Sequence, residues 1–384
     1  MTQTSASTHT HKKTNLLYTM KKYIILACAV IAAACNSGNN KKGTDAVAIS
    51  IESIKAENVA VDSIENCSYT GFSGVSGDSL YFFDRVMSYL YTISEDGHVG
   101  SRQLGLGRSS NELPVKNPVQ VCYETEGQTF DIMGGTYDMY FYGKDKKTVR
   151  MDMVPEGSND SFESSTAYTL WDEVIMASDK DFIYYNIFGN NEKVDIFNRE
   201  DYIDKAAVIM KVAKKDGKMT PIGRYSDYYA KNKEKIKHLP YYYFDTDGKG
   251  GFYFTYQADS LVYHYDENFN VIESFGRQGR DMYTEYSDPG KTTETFVEAF
   301  MADKEKAGRY YWIKRCGDYV FRSYFKSKDS DSDGLQIYRD GTLIGDVDVP
   351  HGFRVAGRCG DYFVTDINLD EDNGTMSFYK FKIE

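Results

Sequence analysis

Positive charge is scarce in this sequence. Its 384 residues include 45 Lys and Arg against 57 Asp and Glu, which gives a formal net charge of −12 at pH 7. An acidic surface repels phosphate backbones, so we expect no nucleic-acid partner. Net charge of this size also serves simple solubility, and it therefore identifies no ligand.

Long apolar runs are also missing. The apolar run Tyr23–Ala34 holds 12 residues, whereas a membrane-spanning helix needs about 20. Lys21 and Lys22 precede this run, and Met20 stands directly before them. A start at Met20 gives the positive n-region and short h-region of a secretory signal. Residues 1–35 are therefore predicted to be a signal peptide.

The end of this segment resembles a bacterial lipobox. Ala32-Ala33-Ala34 stands directly before Cys35, and polar residues follow. In lipoproteins such a cysteine is acylated and becomes the new N-terminus, and several acyl chains anchor a protein stably. We expect lipidation at Cys35, a flexible tether over residues 36–47, and a place on the cell envelope, at the outer membrane. An ordinary secretory signal with an incidental cysteine is the alternative.

Recognisable catalytic motifs are absent. The sequence holds no G-x-S-x-G elbow, no H-E-x-x-H and no P-loop. Gly77-Asp78-Ser79-Leu80 spells the GDSL motif of serine esterases, and Asp348-Val349-Pro350-His351 spells their distant Asp-x-x-His. Those enzymes need an α/β sheet with the serine where a strand meets a helix, whereas Ser79 leads into a predicted strand. No catalytic residue is assigned.

Cysteine and histidine do not cluster. No Cys-x-x-Cys or histidine group suggests a transition-metal site. The cysteines beyond the signal are Cys67, Cys122, Cys316 and Cys359. An oxidising envelope permits disulfides, but we expect these four to be buried free thiols.

What the sequence does contain is a repeat. Arg315–Phe321 reads R-C-G-D-Y-V-F, Arg358–Val364 reads R-C-G-D-Y-F-V, and Ser76–Phe83 is a looser copy. Each places a Gly-Asp turn before a short aromatic and aliphatic strand. Such leading strands lie near residues 80, 130, 182, 252, 319 and 362. A unit returning after about 40–50 residues indicates a propeller blade, so residues 48–384 are predicted to form an all-β, six-bladed β-propeller.

Long polar insertions interrupt the repeat. They cover residues 155–165, 201–240 and 281–306. One or two short helices are expected within them. Glu294–Lys306 places Phe296, Val297, Phe300 and Met301 on one face, and Ala230–Lys237 is a shorter candidate. The insertions are interpreted as surface decoration, with a lid or docking arm as the alternative.

With these features together, the chain resembles the TolB-like or NHL-like six-bladed β-propeller lipoproteins of bacteria. Members often carry Gly-x-Gly-Pro-Gly-Glu after the first blade. Gly105–Glu112 keeps the two leading glycines and the glutamate but has Arg108-Ser109-Ser110-Asn111 in place of Pro-Gly. Gly276–Arg280 is a shorter version. The resemblance implies a fold and an envelope address, but no established reaction.

The two glycine-rich segments supply the candidate ligand-binding residues. As links from an outer strand to the next inner strand, they are predicted to place Arg108, Glu112, Arg277 and Arg280 at the channel mouth. Glycine lets backbone N–H groups approach a ligand, and arginine offers a fork for carboxylates. The alternative is that the glycines serve the turns and the arginines form ion pairs between blades.

One acidic loop is a candidate metal site. Asp329, Asp331 and Asp333 alternate along a tight loop before Gly334. Carboxylates in this pattern can converge on one hard cation such as Ca²⁺. A solvated acidic turn is the default interpretation, and no other cofactor is expected.

These observations favour a lipid-anchored envelope propeller that binds or scaffolds a peptide, glycan or protein partner. A propeller hydrolase or lyase acting on glycans or peptides is the alternative, and a structural subunit of an envelope complex is a third possibility. Three or more acids in the channel, or a His–acid pair, would favour chemistry. A flat aromatic face would favour a partner.

Overall fold

The computed structural model describes residues 47–135, 137–189 and 191–383. The predicted signal peptide, Cys35 and the tether up to residue 46 lie outside the described residues.

The described chain forms six β-sheets. It begins with β1 (Val47–Ile51) and β2 (Glu57–Ala60). Blade 1 follows with β3 (Gly71–Ser76), β4 (Ser79–Asp84), β5 (Tyr89–Ile93) and β6 (Gln103–Leu104). Blade 2 contains β7 (Gln120–Glu124), β8 (Thr129–Met133), β9 (Asp138–Tyr142) and β10 (Thr148–Asp152). Blade 3 contains β11 (Tyr168–Leu170), β12 (Met176–Ser178), β13 (Phe182–Gly189), β14 (Ile209–Ala213) and β15 (Met219–Ile222).

The second half repeats this plan. Blade 4 contains β16 (Tyr242–Thr246), β17 (Phe252–Tyr256), β18 (Val262–Tyr265) and β19 (Val271–Phe275). Blade 5 contains β20 (Arg309–Cys316), β21 (Tyr319–Phe325), β22 (Asp333–Arg339) and β23 (Thr342–Val349). Blade 6 contains β24 (Val355–Cys359), β25 (Tyr362–Thr365), β26 (Asn368–Asp370) and β27 (Thr375–Phe381).

The six sheets close into a ring. The inner strands β3, β7, β12, β16, β20 and β24 contact one another in that order, and β24 returns to contact β3. This cyclic order confirms the predicted six-bladed β-propeller.

The two ends of the described chain meet in blade 6. Strand β2 pairs antiparallel with β27, which places Val59 opposite Phe378. Both side chains are buried in one apolar cluster with Leu80 and Val364. Strand β1 extends the neighbouring blade 5 by pairing parallel with β23. The ring is therefore closed by backbone hydrogen bonds and by core packing together.

The strand that leads each predicted repeat is the second strand of its blade and not the first. The six leading strands are β4, β8, β13, β17, β21 and β25, which are the second strands of the blades. The Gly-Asp turn joins the inner strand to this second strand, and Gly77, Gly317 and Gly360 have φ of 59°, 63° and 56°. The second strand is covered on both faces, so it has the most apolar sequence.

Three α-helices occur in the described residues, at Tyr202–Lys205, Asp227–Ile236 and Thr293–Lys306. The last begins after Thr292, whose hydroxyl accepts a hydrogen bond from the Thr295 N–H. Its predicted apolar face is divided. Phe296 is buried, whereas Val297 and Met301 are 45% and 57% exposed. None of the helices that the structure describes has the length and apolar character to cross a membrane.

The four cysteines Cys67, Cys122, Cys316 and Cys359 are free in the structure. Burial raises the pKa of Cys67 to about 11 and that of Cys316 to about 12. Thiols with these pKa values are weak nucleophiles at neutral pH, which fits a packing role.

Candidate binding channel

The six inner strands surround a central cavity of about 1040 Å³. Every blade contributes to its wall. The polar lining residues include Ser73 of blade 1, Gln120 of blade 2, Glu173 of blade 3, Asp245 of blade 4, Lys314 of blade 5 and Arg354 of blade 6. The volume lies at the upper end of the range of about 300–1,000 Å³ that is usual for small-molecule sites.

One ion pair joins blades 4 and 5 in the channel wall. Lys314 Nζ lies 3.1 Å from Asp245 Oδ1, and the backbone N–H of Arg315 donates to Asp245 Oδ2 at 2.8 Å. Burial alone would lower the pKa of Lys314, but the charge and hydrogen bond of Asp245, together with the charges of Cys316 and Asp366, hold that pKa above its usual value. Both carboxylate oxygens of Asp245 are thus engaged by the protein.

A second ion pair spans the channel. Arg354 Nη1 donates to Glu173 Oε1. Glu173 precedes β12 of blade 3 and Arg354 precedes β24 of blade 6, and these blades face each other across the ring. The Arg354 guanidinium also lies 5.2 Å from the ring centre of Trp312. A planar guanidinium both pairs with carboxylates and stacks on aromatic rings, so Arg354 is held from two sides.

Together with the pairs Asp245–Lys314 and Glu173–Arg354, Asp366 forms the central cluster of the channel. Asp366 is the acid of this cluster that has no counter-ion of its own. It follows β25, and its backbone N–H donates to the carbonyl of Arg354 at 2.9 Å. Its half-buried side chain lines the cavity. No hydrogen bond reaches its carboxylate from the residues that the structure describes. Burial raises the pKa of Asp366 to about 6, and the charges of Arg354 and Lys314 offset this effect only in part.

A His–acid pair stands at the channel wall, but its acid is already occupied. His351 Nδ1 lies 3.0 Å from Asp333 Oδ1. Tyr311 and the Gly352 N–H donate to Asp333 Oδ2 at 2.8 and 2.9 Å. Asp333 therefore organises the turn that leads into blade 6.

The contacts of Asp333 also concern the calcium site predicted at Asp329, Asp331 and Asp333. Asp333 turns inward to these donors instead of towards a cation shared with Asp329 and Asp331. Across the described ranges, no three His, Cys, Asp or Glu side chains converge closely enough to hold a metal ion. The predicted Ca²⁺ site therefore gains no support from the geometry.

Two of the predicted binding residues lie after blade 1. Glu112 accepts a hydrogen bond from the Ser109 N–H at 2.8 Å, and this bond lowers the pKa of the Glu112 carboxyl. Neither Arg108 nor Glu112 is among the residues that line the central cavity. The Glu112 carboxylate therefore stabilises the turn formed by residues 109–112.

The other two lie between blades 4 and 5. Arg277 and Arg280 line a separate groove of about 740 Å³. Arg280 Nη2 lies 2.6 Å from Asp348 Oδ1 of blade 5, so Arg280 forms the interblade ion pair given above as the alternative. The links start at outer strands, so their first residues lie at the rim of the propeller and only their ends reach the axis. Ligand binding by any of the four stays a prediction.

The esterase motif has a structural role. Ser79 is the first residue of β4, and the carbonyl of Asp78 accepts a hydrogen bond from Cys359 Sγ at 2.8 Å. The hydrogen bond given for the His351 ring within the described chain goes to Asp333, and none joins it to Ser79, so the Ser–His pair of an esterase is not formed there.

The predicted repeats begin at the second strand of each blade, so the inner strands and the channel residues that they carry were missed. Their signal is a charged residue inside an aromatic strand, as in Y-Y-F-D-T of β16 and R-Y-Y-W-I-K-R-C of β20. A charge in such a strand is costly unless it is paired or faces a polar cavity. That rule could have indicated Asp245 and Lys314, whereas Glu173 and Asp366 lie in connections without a pattern.

No family model and no curated protein matches this sequence. Among solved structures, a member of the DUF4221 family from Bacteroides vulgatus has a TM-score of 0.61 at 12% identity, over 86% of this chain and 98% of that one. A protein described as exported, from Bacteroides fragilis, has a TM-score of 0.49 at 14% identity, over 89% and 99%. At this identity the first similarity shows the propeller fold alone.

Proposed function

We propose that the protein is a lipid-anchored envelope protein that binds a small peptide or glycan in its central channel. The observation that carries this proposal is the polar cavity of about 1040 Å³, to which all six blades contribute. Convergent polar groups in a cavity of this size are the usual features of a ligand site.

The charged side chains of the channel wall are already held in place, and this supports ligand binding. The Asp245–Lys314 and Glu173–Arg354 pairs fix four charged side chains before any ligand arrives, and such preorganisation lowers the entropic cost of binding. Arginine has five N–H donors, and Arg354 gives one to Glu173. Asp366 keeps both of its oxygens as acceptors. Peptide groups and sugar hydroxyls supply partners for both kinds of atom.

The envelope address rests on the sequence. The lipobox ending at Cys35 supports acylation there, and residues 36–46 would tether the propeller to the outer membrane. A protein held in this way would meet peptides and glycans of the cell envelope or the surroundings.

A channel-blocking variant tests the binding site. Thr246 lies on inner strand β16 and lines the cavity, whereas Thr220 is exposed on outer strand β15. In a screen of peptides and glycans by calorimetry, Thr246→Trp should abolish the binding of any ligand found, and Thr220→Trp should preserve it. Equal binding by the two variants would place the ligand outside the channel.

A hydrolase or lyase acting on glycans or peptides is a second candidate, and it is favoured by the criterion given above, because the acids Glu173, Asp245 and Asp366 line the channel. A carboxyl whose pKa is about 6, such as that of Asp366, can donate and accept protons near neutral pH. Product formation from a bound glycan or peptide, lost in Asp366→Asn while binding persists, would support this candidate. Recovery of every bound ligand unchanged would exclude it for those ligands.

A further inference from the structure

We infer that the ligand of the channel carries a primary ammonium group, and that Asp366 is the residue that selects it. This inference rests on the proposed function, because it specifies the ligand of the same cavity. It depends on the charges of the channel wall and on the hydrogen-bonding groups that they leave free.

The charge of the central cluster does not balance. Lys314 is paired with Asp245, and Arg354 is paired with Glu173. Asp366 is left over, so the five residues together carry one excess negative charge. Arg85, Arg315 and Asp172 also line the cavity and bring the formal charge of its whole lining to zero, but they are not among the charges that act on Asp366. A half-buried carboxylate without a counter-ion is stabilised when a cation enters the site.

The form of the site favours an ammonium over other cations. A divalent metal would need several converging ligands, and no such group exists among the described residues. An ammonium is a compact charge with three donors, and the two free oxygens of Asp366 can accept two of them. Arg354 holds further N–H donors, and its guanidinium is close enough for its charge to act on Asp366. These donors suit an oxygen next to the amine.

The ligand chemistry is therefore a primary ammonium beside an oxygen acceptor. Two sources offer it: the N-terminus of a peptide, where the amine neighbours a carbonyl, and a 2-amino sugar, where it neighbours hydroxyls. N-acetylation removes the charge from either source and leaves the rest of the molecule in place.

The binding should also depend on pH. Asp366 is faced by Arg354 of blade 6, Lys314 of blade 5 and Glu173 of blade 3, and it acts in turn on Tyr81 of blade 1. Because the pKa of Asp366 is raised to about 6, the carboxylate becomes protonated as the pH falls below that value. The affinity for an ammonium should fall with it.

Calorimetry on the full chain in detergent tests the inference. The probes are a glucosamine trimer against its N-acetylated form, and triglycine amide against N-acetyl-triglycine amide. At pH 7, where Asp366 is mostly ionised and the probe amines carry protons, the free amine of one source should bind about 10-fold to 100-fold more tightly than its acetylated form, as a charge-assisted hydrogen bond provides. Asp366→Asn should remove this preference. Asp372→Asn, at an exposed hairpin tip of the same blade, should keep it.

The possible outcomes distinguish a failure of the ammonium inference from a failure of the proposed binding in the channel. Equal affinity for free and acetylated forms would overturn the ammonium inference and leave the channel as a binding site. A preference that survives in Asp366→Asn would also overturn it. If Asp366→Asn fails to fold, Asp366→Glu keeps the charge and should retain the preference, and its loss there would contradict the assignment. Failure of all four probes to bind would overturn both the inference and the proposed binding of these ligand classes.

Discussion

Replacing Arg322 with Met is expected to lower the free energy of unfolding by about 2–4 kcal/mol. Arg322 lies on β21 of blade 5 and is fully buried. Its Nη2 donates to the carbonyl of Ser260 in blade 4 at 2.9 Å and to that of Arg277, in the link after blade 4, at 2.8 Å. Its guanidinium lies 3.8 Å from the ring centre of Tyr310. The side chain therefore joins two neighbouring blades.

The magnitude follows from which atoms lose a partner. Met fills a similar volume, so little cavity results. The Ser260 carbonyl loses the donor that the structure gives it, whereas the Arg277 carbonyl keeps that of Tyr310 at 3.1 Å. The Ser260 carbonyl, left without a donor, costs about 1–3 kcal/mol, and the lost bonds to the Arg277 carbonyl and to Gln336 Oε1, which keep other donors, cost about 1 kcal/mol each. Removing the buried charge and its unpartnered Nη1 offsets part of this loss.

Urea unfolding measures the effect. Arg322→Met should lower the midpoint with an unchanged slope, which would show a loss of stability and not a change of the unfolded state. Arg339→Met is the matched control, because Arg339 is exposed on the adjacent strand β22 and should change stability by no more than about 0.5 kcal/mol. A loss below about 1 kcal/mol for Arg322→Met would refute the reasoning.

Three further predictions concern the ring seam, the channel and the anchor. Val59→Asp buries an unpaired carboxylate where β2 closes blade 6, so the urea midpoint should correspond to a loss of more than about 3 kcal/mol; an unchanged midpoint would mean that this seam does not stabilise the ring. The pKa of Asp366 is raised from 3.8 to about 6, so at this site the folded state binds more protons, and the contribution of Asp366 to wild-type stability falls as pH rises from about 4 to 6. Asp366→Asn should lack this loss, and a pH-independent difference between the two proteins would contradict it. Cys35→Ala should release the protein from membranes in fractionation, and unchanged retention would argue against acylation at this residue.

The part of the fold that sequence could predict is the part set by local pattern. A Gly-Asp turn needs a backbone conformation that glycine adopts easily, and the following strand is apolar because it is covered on both faces. These constraints act within a few residues, so the copies at Gly317 and Gly360 indicate blades without any tertiary information. The count of six and the helix within Glu294–Lys306 follow from the same kind of signal.

The site could not be reached in this way, because ring closure decides it. Glu173 and Arg354 stand 181 residues apart, and they meet because blades 3 and 6 face each other across the axis. An aromatic strand with one charged residue can be an inner or an outer strand. Which one it is depends on its place in the sheet and on the neighbouring blades, and the sequence of a short segment does not contain this information. The sequence by itself determined that six similar β-modules form. Only the tertiary structure decided which charges meet in the channel and left Asp366 without a counter-ion, because electrostatic pairing depends on distance in space and not on distance along the chain.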